Sequence, residues 1–186
     1  MTLKSQNRAY VYASLVVLFW GTSATAFKIG LNYLSTVQLL FWSSLAATTI
    51  LFLVLCSQHK FKQLSAATPA QLGRSVMLGF LNPFLYYLVL FKAYSLLPAQ
   101  VAQPLNYIWP IVLVLLAAIF LGQKLHWYDL LALLVSFTGV TLISSQGSIN
   151  IFSHSNPLGV VLALSSSIVW ATFWIVNMQK NAGDEV

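Results

Sequence analysis

Six long apolar stretches divide this chain, and their length constrains its fold more than any other feature. They contain 17 to 23 residues each and are separated by short segments that carry most of the charged residues. The stretches are residues 10–29, 37–56, 76–97, 99–121, 128–144 and 158–176. A helix of roughly 20 apolar residues crosses the hydrocarbon core of a bilayer. Open strands cannot satisfy their backbone hydrogen bonds in lipid, so the pattern predicts an all-α integral membrane protein with six transmembrane helices.

The chain is too poor in charge to cover the surface of a soluble protein. Of its 186 residues, 59% are hydrophobic and 6% are charged, whereas about 25% of residues are charged in ordinary soluble domains. The formal net charge of +6 would suit nucleic acid if the basic residues formed a patch, but the nine Lys and Arg residues are scattered. The composition therefore predicts the lipid bilayer, and not nucleic acid, as a partner.

The basic residues predict the orientation of the helices. Those outside the apolar stretches are Lys4, Arg8, Lys60, Lys62, Arg74, Lys124 and Lys180. They all fall before the first stretch or after an even-numbered one, whereas the connections after the first, third and fifth stretches contain no Lys or Arg. The positive-inside rule places such basic connections in the cytoplasm. We therefore expect both ends to be cytoplasmic, in a multi-pass protein of the bacterial inner membrane.

A faint internal repeat links the first and sixth stretches at an offset of 150 residues. Trp20-Gly21-Thr22 matches Trp170-Ala171-Thr172. Small residues recur on both stretches, at Ala9, Ala13 and Gly21 and at Gly159, Ala163, Ser167 and Ala171. Such ridges of small residues let membrane helices approach closely. Chance recurrence in apolar helices would also explain the match.

If the repeat is real, its two copies are inserted in opposite directions, because five spans separate them. This is the arrangement of an inverted-topology repeat, which is common in transporters. We then expect residues 1–150 to form one complete five-helix repeat and residues 151–186 to hold the first helix of a second, inverted repeat. A short polar tail follows that helix, and we expect the chain to be cut within the second repeat.

The fourth stretch combines helix-breaking and polar residues. It contains the run Gln103-Pro104-Leu105-Asn106-Tyr107-Ile108-Trp109-Pro110. Pro110 lacks an amide donor and its ring clashes with the carbonyl of Asn106, so we expect kinks at Pro110 and at Pro104. Backbone freed in a membrane is tolerated where it lines a cavity or is buried in protein. We interpret Gln103, Asn106, Tyr107 and Trp109 as lining a substrate cavity; the alternative is a kinked packing helix.

Two lysines lie within apolar stretches, near the ends that are expected to face outward. Lys28 ends the first stretch and Lys92 lies about one turn from the end of the third. Both ammonium groups could reach the interface while their stems stay in lipid. The alternative is that one of them attracts a carboxylate of the substrate, because charge inside a membrane span is by default a functional hypothesis.

Aromatic side chains are abundant within the spans, and some lie away from the helix ends. Many Trp and Tyr residues belong to interfacial belts. Trp20 and Trp170, however, are not at helix ends and occupy matching repeat positions. With Tyr87 they are candidates for a cavity walled by aromatic rings, which would suit flat or aromatic solutes.

The sequence contains no pattern that predicts catalysis. Cys56, the one cysteine, lies within an apolar stretch without a nearby activating base. His126 and Asp129 are three residues apart at a helix start, with no nucleophile or metal-ligand pattern beside them. We therefore expect no enzymatic activity, no metal site and no cofactor.

Several motifs resemble those of the drug/metabolite transporter superfamily, and specifically its EamA-type ten-helix members. They are Phe19-Trp20-Gly21-Thr22-Ser23 with Lys28, Ala93-Tyr94-Ser95-Leu96-Leu97-Pro98-Ala99, and Phe120-Leu121-Gly122-Gln123-Lys124-Leu125. Family members usually carry Glu where Gln123 stands. The run from Asn106 to Pro110 is similar to that of the branch containing aromatic amino-acid exporters. The resemblance implies two inverted five-helix repeats around an aromatic cavity, with Tyr107, Trp109 and Trp170 facing it and alternating access moving solute outward.

These observations together predict a secondary exporter of amino acids, aromatic ones among them, or of related small metabolites. This chain lacks about four of the helices that the resemblance implies. Two alternatives therefore remain: a truncated, non-transporting membrane remnant, and a half-size transporter that is active only as a homodimer.

Overall fold

The computed structural model describes residues 3–59, 67–144 and 156–181, and these ranges contain helices and no strand. The helices are α1 (Leu3–Leu31), α2 (Thr36–Ser57), α3 (Pro69–Gly79), α4 (Tyr86–Leu96), α5 (Ala99–Asn106), α6 (Trp109–Phe120), α7 (Trp127–Ser144) and α8 (Pro157–Asn181). A π-helical segment, Phe80–Leu85, joins α3 to α4. The third span therefore consists of α3, this segment and α4, and the fourth span consists of α5 and α6.

Among the residues that the structure describes, five helical segments are long and apolar enough to cross a membrane. They are Ala9–Leu31, Thr36–Ser57, Pro69–Leu96, Ala99–Phe120 and Pro157–Met178. The fifth apolar stretch forms a shorter apolar helix, Trp127–Gly139, within the described residues. The prediction of an all-α membrane protein with about six helices is thus confirmed. Lys60 and Lys62, on which the predicted orientation partly rests, and the predicted repeat boundary at residues 150 and 151 lie outside the described residues.

Capping boxes start α2 and α3. The Ser35 hydroxyl accepts a hydrogen bond from the backbone N–H of Gln38 at 3.3 Å. The side-chain oxygen of Gln38 accepts one from the backbone N–H of Ser35 at 2.9 Å. Thr68 and Gln71 repeat the same pair of bonds at the start of α3, also at 3.3 and 2.9 Å. Each box satisfies two amides that the first turn of a helix leaves without partners. These polar residues therefore fix where the second and third spans begin.

The third span is interrupted, although the hydropathy pattern treats residues 76–97 as one helix. Pro83 lies inside the π-helical segment, and Asn82 just before it has extended dihedrals, φ −145° and ψ 120°. Proline removes an amide donor and crowds the preceding turn, which interrupts the helix at this point. The span is therefore two α-helices joined by an irregular segment.

The core forms where α8 packs against α4, α5, α6 and the π-helical segment. Small residues on α8 are buried there, with Ala163 and Ala171 both 0% exposed. Ala93 on α4 and Ala102 on α5 are equally enclosed. Without a hydrophobic drive in lipid, membrane helices pack through such close backbone approach. The predicted ridge on the sixth span is therefore a packing surface.

The matching ridge on α1 is not a packing surface within the described residues. Ala9, Ala13 and Gly21 are exposed, and a β-carbon built at Gly21 would meet no atom within 4 Å. Closer to the end of α1, Ala24 is buried and Phe27 lies against the core, on about the same face of the helix as these small residues. Small residues permit close approach but do not require it, so a role for this ridge in packing stays a prediction.

Gly159→Ala should lower the free energy of unfolding by about 1–3 kcal/mol, the usual cost of overpacking. A β-carbon at residue 159 would lie 2.7 Å from Leu97 Cγ and 3.1 Å from Leu96 Cβ. Leu97 is only 1% exposed and cannot move aside. Denaturant titration of the purified protein in detergent micelles would measure the change.

Gly139→Ala is the matched control, because a β-carbon built at residue 139 has no neighbour within 4 Å. This change should be neutral or stabilise α7 by about 0.5–1 kcal/mol, since Gly weakens a helix interior relative to Ala. Equal stabilities of the two variants would contradict the close approach of α8 to the end of α4.

Candidate functional site

A cavity of about 90 Å³ lies between α1, α4, the fourth span and α8. It is lined by Trp20, Ser23, Phe27, Tyr86, Tyr87, Leu90, Tyr94, Gln103, Asn106, Tyr107, Trp109 and Trp170. Seven of the nine substrate-binding residues that we predicted from the sequence are in this lining: Trp20, Tyr87, Gln103, Asn106, Tyr107, Trp109 and Trp170. The remaining two, Lys28 and Lys92, lie elsewhere.

Aromatic rings form most of the cavity wall. Trp170 on α8 joins the two sides, because its ring centroid lies 4.6 Å from that of Tyr86 and 6.3 Å from that of Trp109. Phe27 extends the wall on α1, with its ring 5.9 Å from that of Tyr87. Offset and edge-to-face arrangements at these separations stabilise aromatic pairs. The rings hold one another in place and so keep the wall rigid.

A buried chain of hydrogen bonds crosses from the third span to the sixth through Asn106. The Tyr86 hydroxyl donates to Asn106 Oδ1 at 3.1 Å, and Asn106 Nδ2 donates to the Ser166 hydroxyl at 2.9 Å. Ser166 in turn donates to the carbonyl of Ala163 at 2.6 Å. Asn106 is 6% exposed and Ser166 is 0% exposed. Both ends of the Asn106 amide are therefore engaged by the protein itself, which gives this residue a positioning role.

The fourth span breaks beside the cavity. α5 ends at Asn106 and α6 begins at Trp109, with Pro110 in the first turn of α6. A proline is well tolerated there, because the first turn of a helix has no use for its missing amide. Pro104 lies within α5 itself. The break places Tyr107 and Trp109 at the cavity.

The two intramembrane lysines occupy different surroundings, and neither lines the cavity. Lys28 is half-buried, and its ammonium group donates to the carbonyl of Tyr94 at 2.7 Å. This carbonyl belongs to the last turn of α4, where a cation also meets the negative end of the helix dipole. Lys92 is exposed and lines a separate open groove with Thr36, Leu88 and other residues.

Comparison with known proteins identifies the family. The model of the EamA-like transporter family matches residues 7–145, which is most of the chain. The chain belongs to the EamA-like transporter family. The resemblance to the drug/metabolite transporter superfamily is thereby confirmed, and the chain is a multi-pass membrane protein.

Three curated relatives match this EamA-like chain. An uncharacterized transporter of Archaeoglobus fulgidus is 24% identical over 166 residues, which cover 89% of this chain and 56% of the relative. The uncharacterized transporter YvbV of Bacillus subtilis is 24% identical over 192 residues, covering 96% and 61%. The aromatic amino acid exporter YddG of Salmonella typhimurium is 35% identical over 84 residues, covering 42% and 29%. The chain thus spans 56% to 61% of the length of the two relatives that it matches almost throughout. No solved structure matches the chain significantly.

Five lining residues of the EamA-like chain were missed at the sequence level: Ser23, Phe27, Tyr86, Leu90 and Tyr94. Helical spacing contains the signal that finds four of them. Ser23 and Phe27 follow Trp20 by three and seven residues, and Leu90 and Tyr94 follow the predicted Tyr87 by three and seven. Residues at such intervals share one face of a helix. A single cavity residue on each span therefore indicates its neighbours.

The remaining chemistry of the site is that of neutral donors and acceptors. The indole nitrogen of Trp170 is buried and has no hydrogen-bond partner within the described part of the chain. No cluster of three His, Cys, Asp or Glu side chains is placed to hold a metal ion in residues 3–59, 67–144 and 156–181. The described lining of the EamA-like chain contains no charged side chain.

Ser166→Ala should lower the free energy of unfolding by about 1–3 kcal/mol, because Asn106 Nδ2 would then be buried without an acceptor. The matched control is Ser165→Ala, since the Ser165 hydroxyl donates to the Val161 carbonyl of its own helix at 2.7 Å. The control should change stability by no more than about 0.5 kcal/mol. Thermal or denaturant unfolding in detergent would measure both variants. An equal loss in the two would show that the bond from Asn106 contributes nothing specific.

Proposed function

We propose that this chain is the N-terminal part of a secondary transporter that exports amino acids, aromatic ones among them, or related small metabolites. Its membrane is the inner membrane of a bacterium, and transport proceeds by alternating access to the cavity. Residues 1–150 form the first five-helix repeat, and α8 is the first helix of an inverted second repeat. Membership of the EamA-like transporter family supports transport as the general activity.

The aromatic wall of the cavity is the observation on which the proposed substrate class rests. Eight of the twelve lining residues are Trp, Tyr or Phe. A flat or aromatic side chain can stack on such faces and gain more than from apolar contact alone. The local similarity to an aromatic amino acid exporter, 35% over 84 residues, supports the same class.

The polar groups of the site favour a solute without net charge. An ion that leaves water needs a partner of opposite charge, and the described lining contains none. A zwitterionic amino acid is neutral overall, and its two charged groups can pair with hydroxyls, the Gln103 amide or the indole N–H of Trp170. Lys28, bonded to the backbone of the lining residue Tyr94, would add positive potential for the carboxylate at this end of the cavity. Lys92 is not part of the proposed site, because its groove is separate.

Trp109→Ala should reduce export to the background level without lowering the amount of protein in the membrane. The substitution removes a ring that faces Trp170 across the cavity. The assay loads cells with radiolabelled phenylalanine and measures its efflux, with protein abundance determined by immunoblot. Unchanged efflux would refute the assignment of Trp109 to the site.

Trp127→Ala is the control for loss of a tryptophan, because Trp127 is 71% exposed at the start of α7 and lies outside the cavity. Its efflux should equal that of the unchanged protein.

Cells that express residues 1–186 alone test the two alternatives. Efflux together with cross-linking between copies would support a half-size transporter that works as a homodimer. Absence of efflux would contradict that alternative, and it is expected both of an N-terminal part and of a truncated, non-transporting membrane remnant.

A further inference from the structure

Arg74 makes a specific contact with α8 that the positive-inside rule does not require. It lies on α3, is half-buried, and donates from Nη2 to the carbonyl of Val176 at 2.7 Å and to that of Asn177 at 3.3 Å. Both carbonyls belong to α8, near the end that is expected to face the cytoplasm. A hydrogen bond with a charged donor is stronger than one between neutral groups. Arg74 therefore ties the cytoplasmic ends of the third and sixth spans together.

This contact lies on the cytoplasmic side of the cavity. At a helical rise of about 1.5 Å per residue, Val176 lies roughly 9 Å beyond Trp170 along α8. Arg74 lies on α3, which precedes Tyr86 across the segment Phe80–Leu85. Phe173 fills part of the space between Trp170 and this contact, with its ring centroid 6.0 Å from that of Trp170. These groups therefore follow the cavity toward the end of α8 that is expected to face the cytoplasm.

The third span can open at this end without disturbing the cavity wall. The π-helical segment Phe80–Leu85 separates Arg74 from Tyr86. Irregular turns of this kind, with a proline inside, are frequent positions of bending within helices. Tyr86, which follows the segment, is held to α8 through Asn106 and Ser166. A swing of α3 about the segment would therefore break the Arg74 contact and leave those bonds intact.

The Arg74 contact is also suited to repeated breaking. Val176 and Asn177 lie inside a helix, so their carbonyls have helical partners whether or not the guanidinium is present. Once released, the guanidinium can reach the anionic headgroups of the cytoplasmic leaflet, which attract basic side chains. Neither partner is then left as an isolated charge or an unsatisfied group in hydrocarbon.

We propose that Arg74 is a latch that closes the cavity on the cytoplasmic side by holding α3 to α8, and that it releases when the cavity opens to the cytoplasm. The proposal rests on the proposed function, in which the cavity opens alternately to the two sides. Arg74 does not touch the solute in this scheme. It is a positioning residue that sets the balance between the two open states.

Accessibility of a cavity residue from each side of the membrane tests the latch without requiring any solute to move. Cys56→Ser removes the one cysteine of the chain, and Ser23→Cys then places a thiol in the cavity wall. A membrane-impermeant maleimide is applied to spheroplasts and, separately, to inside-out vesicles. In Arg74→Ala, labelling from the cytoplasmic side should increase and labelling from the outside should decrease. A ratio change of about tenfold or more is expected for loss of a hydrogen bond to a charged group.

Two further variants control for charge and for folding. Lys124→Ala removes one exposed positive charge in a connection expected on the same side, and the labelling ratio should not change. Arg74→Lys keeps a cation that can still donate to a carbonyl. Its labelling ratio should therefore lie between that of the protein with Arg74 unchanged and that of Arg74→Ala. Increased labelling from both sides in Arg74→Ala would show general loosening and overturn the proposal, as would an unchanged ratio. Lack of export would contradict the proposed function but leave this result interpretable.

Discussion

Backbone hydrogen bonding in lipid is the constraint on which the rest of this structure depends. A helix can be interrupted inside a membrane only where the freed polar groups are buried in protein or line a cavity. The described part of the chain has two such interruptions, the segment Phe80–Leu85 in the third span and the break after Asn106 in the fourth. Both adjoin elements that pack against α8. The cavity forms at the same place, because broken helices leave space that continuous helices would fill.

The sixth span packs against both interrupted spans and so covers their polar groups. Its small residues Ala163 and Ala171 let the neighbouring helices approach, and Ser166 supplies the hydrogen bond that fixes Asn106. Its one large cavity residue, Trp170, then fills the remaining width against Tyr86 and Trp109. The same helix thus provides close packing, a polar contact and an aromatic wall at successive positions.

Hydropathy predicted the number and approximate limits of the spans, because the bilayer sets their length. It could not predict rotation about each helix axis. Lys28 and Lys92 were placed correctly near the helix ends, yet whether they face the cavity depends on neighbours that the sequence does not specify. The same limit applies to Ala9, Ala13 and Gly21 of α1, which are exposed although their spacing permits close helix packing. Prolines were informative where polar residues accompanied them, as at Pro110, and Pro83 was overlooked within an otherwise apolar run.

The Asn106 amide has a mechanical consequence. Because its two ends are bonded to Tyr86 and Ser166, the inner faces of three spans are joined at one depth into a rigid block. Motion of the surrounding helices must then pivot around this block, since motion through it would leave buried groups without partners. In a transport cycle the solute would meet this same block of residues from either side. The shape of the block would then determine which solutes bind, and movement of the other helices would change only the side from which a solute reaches it.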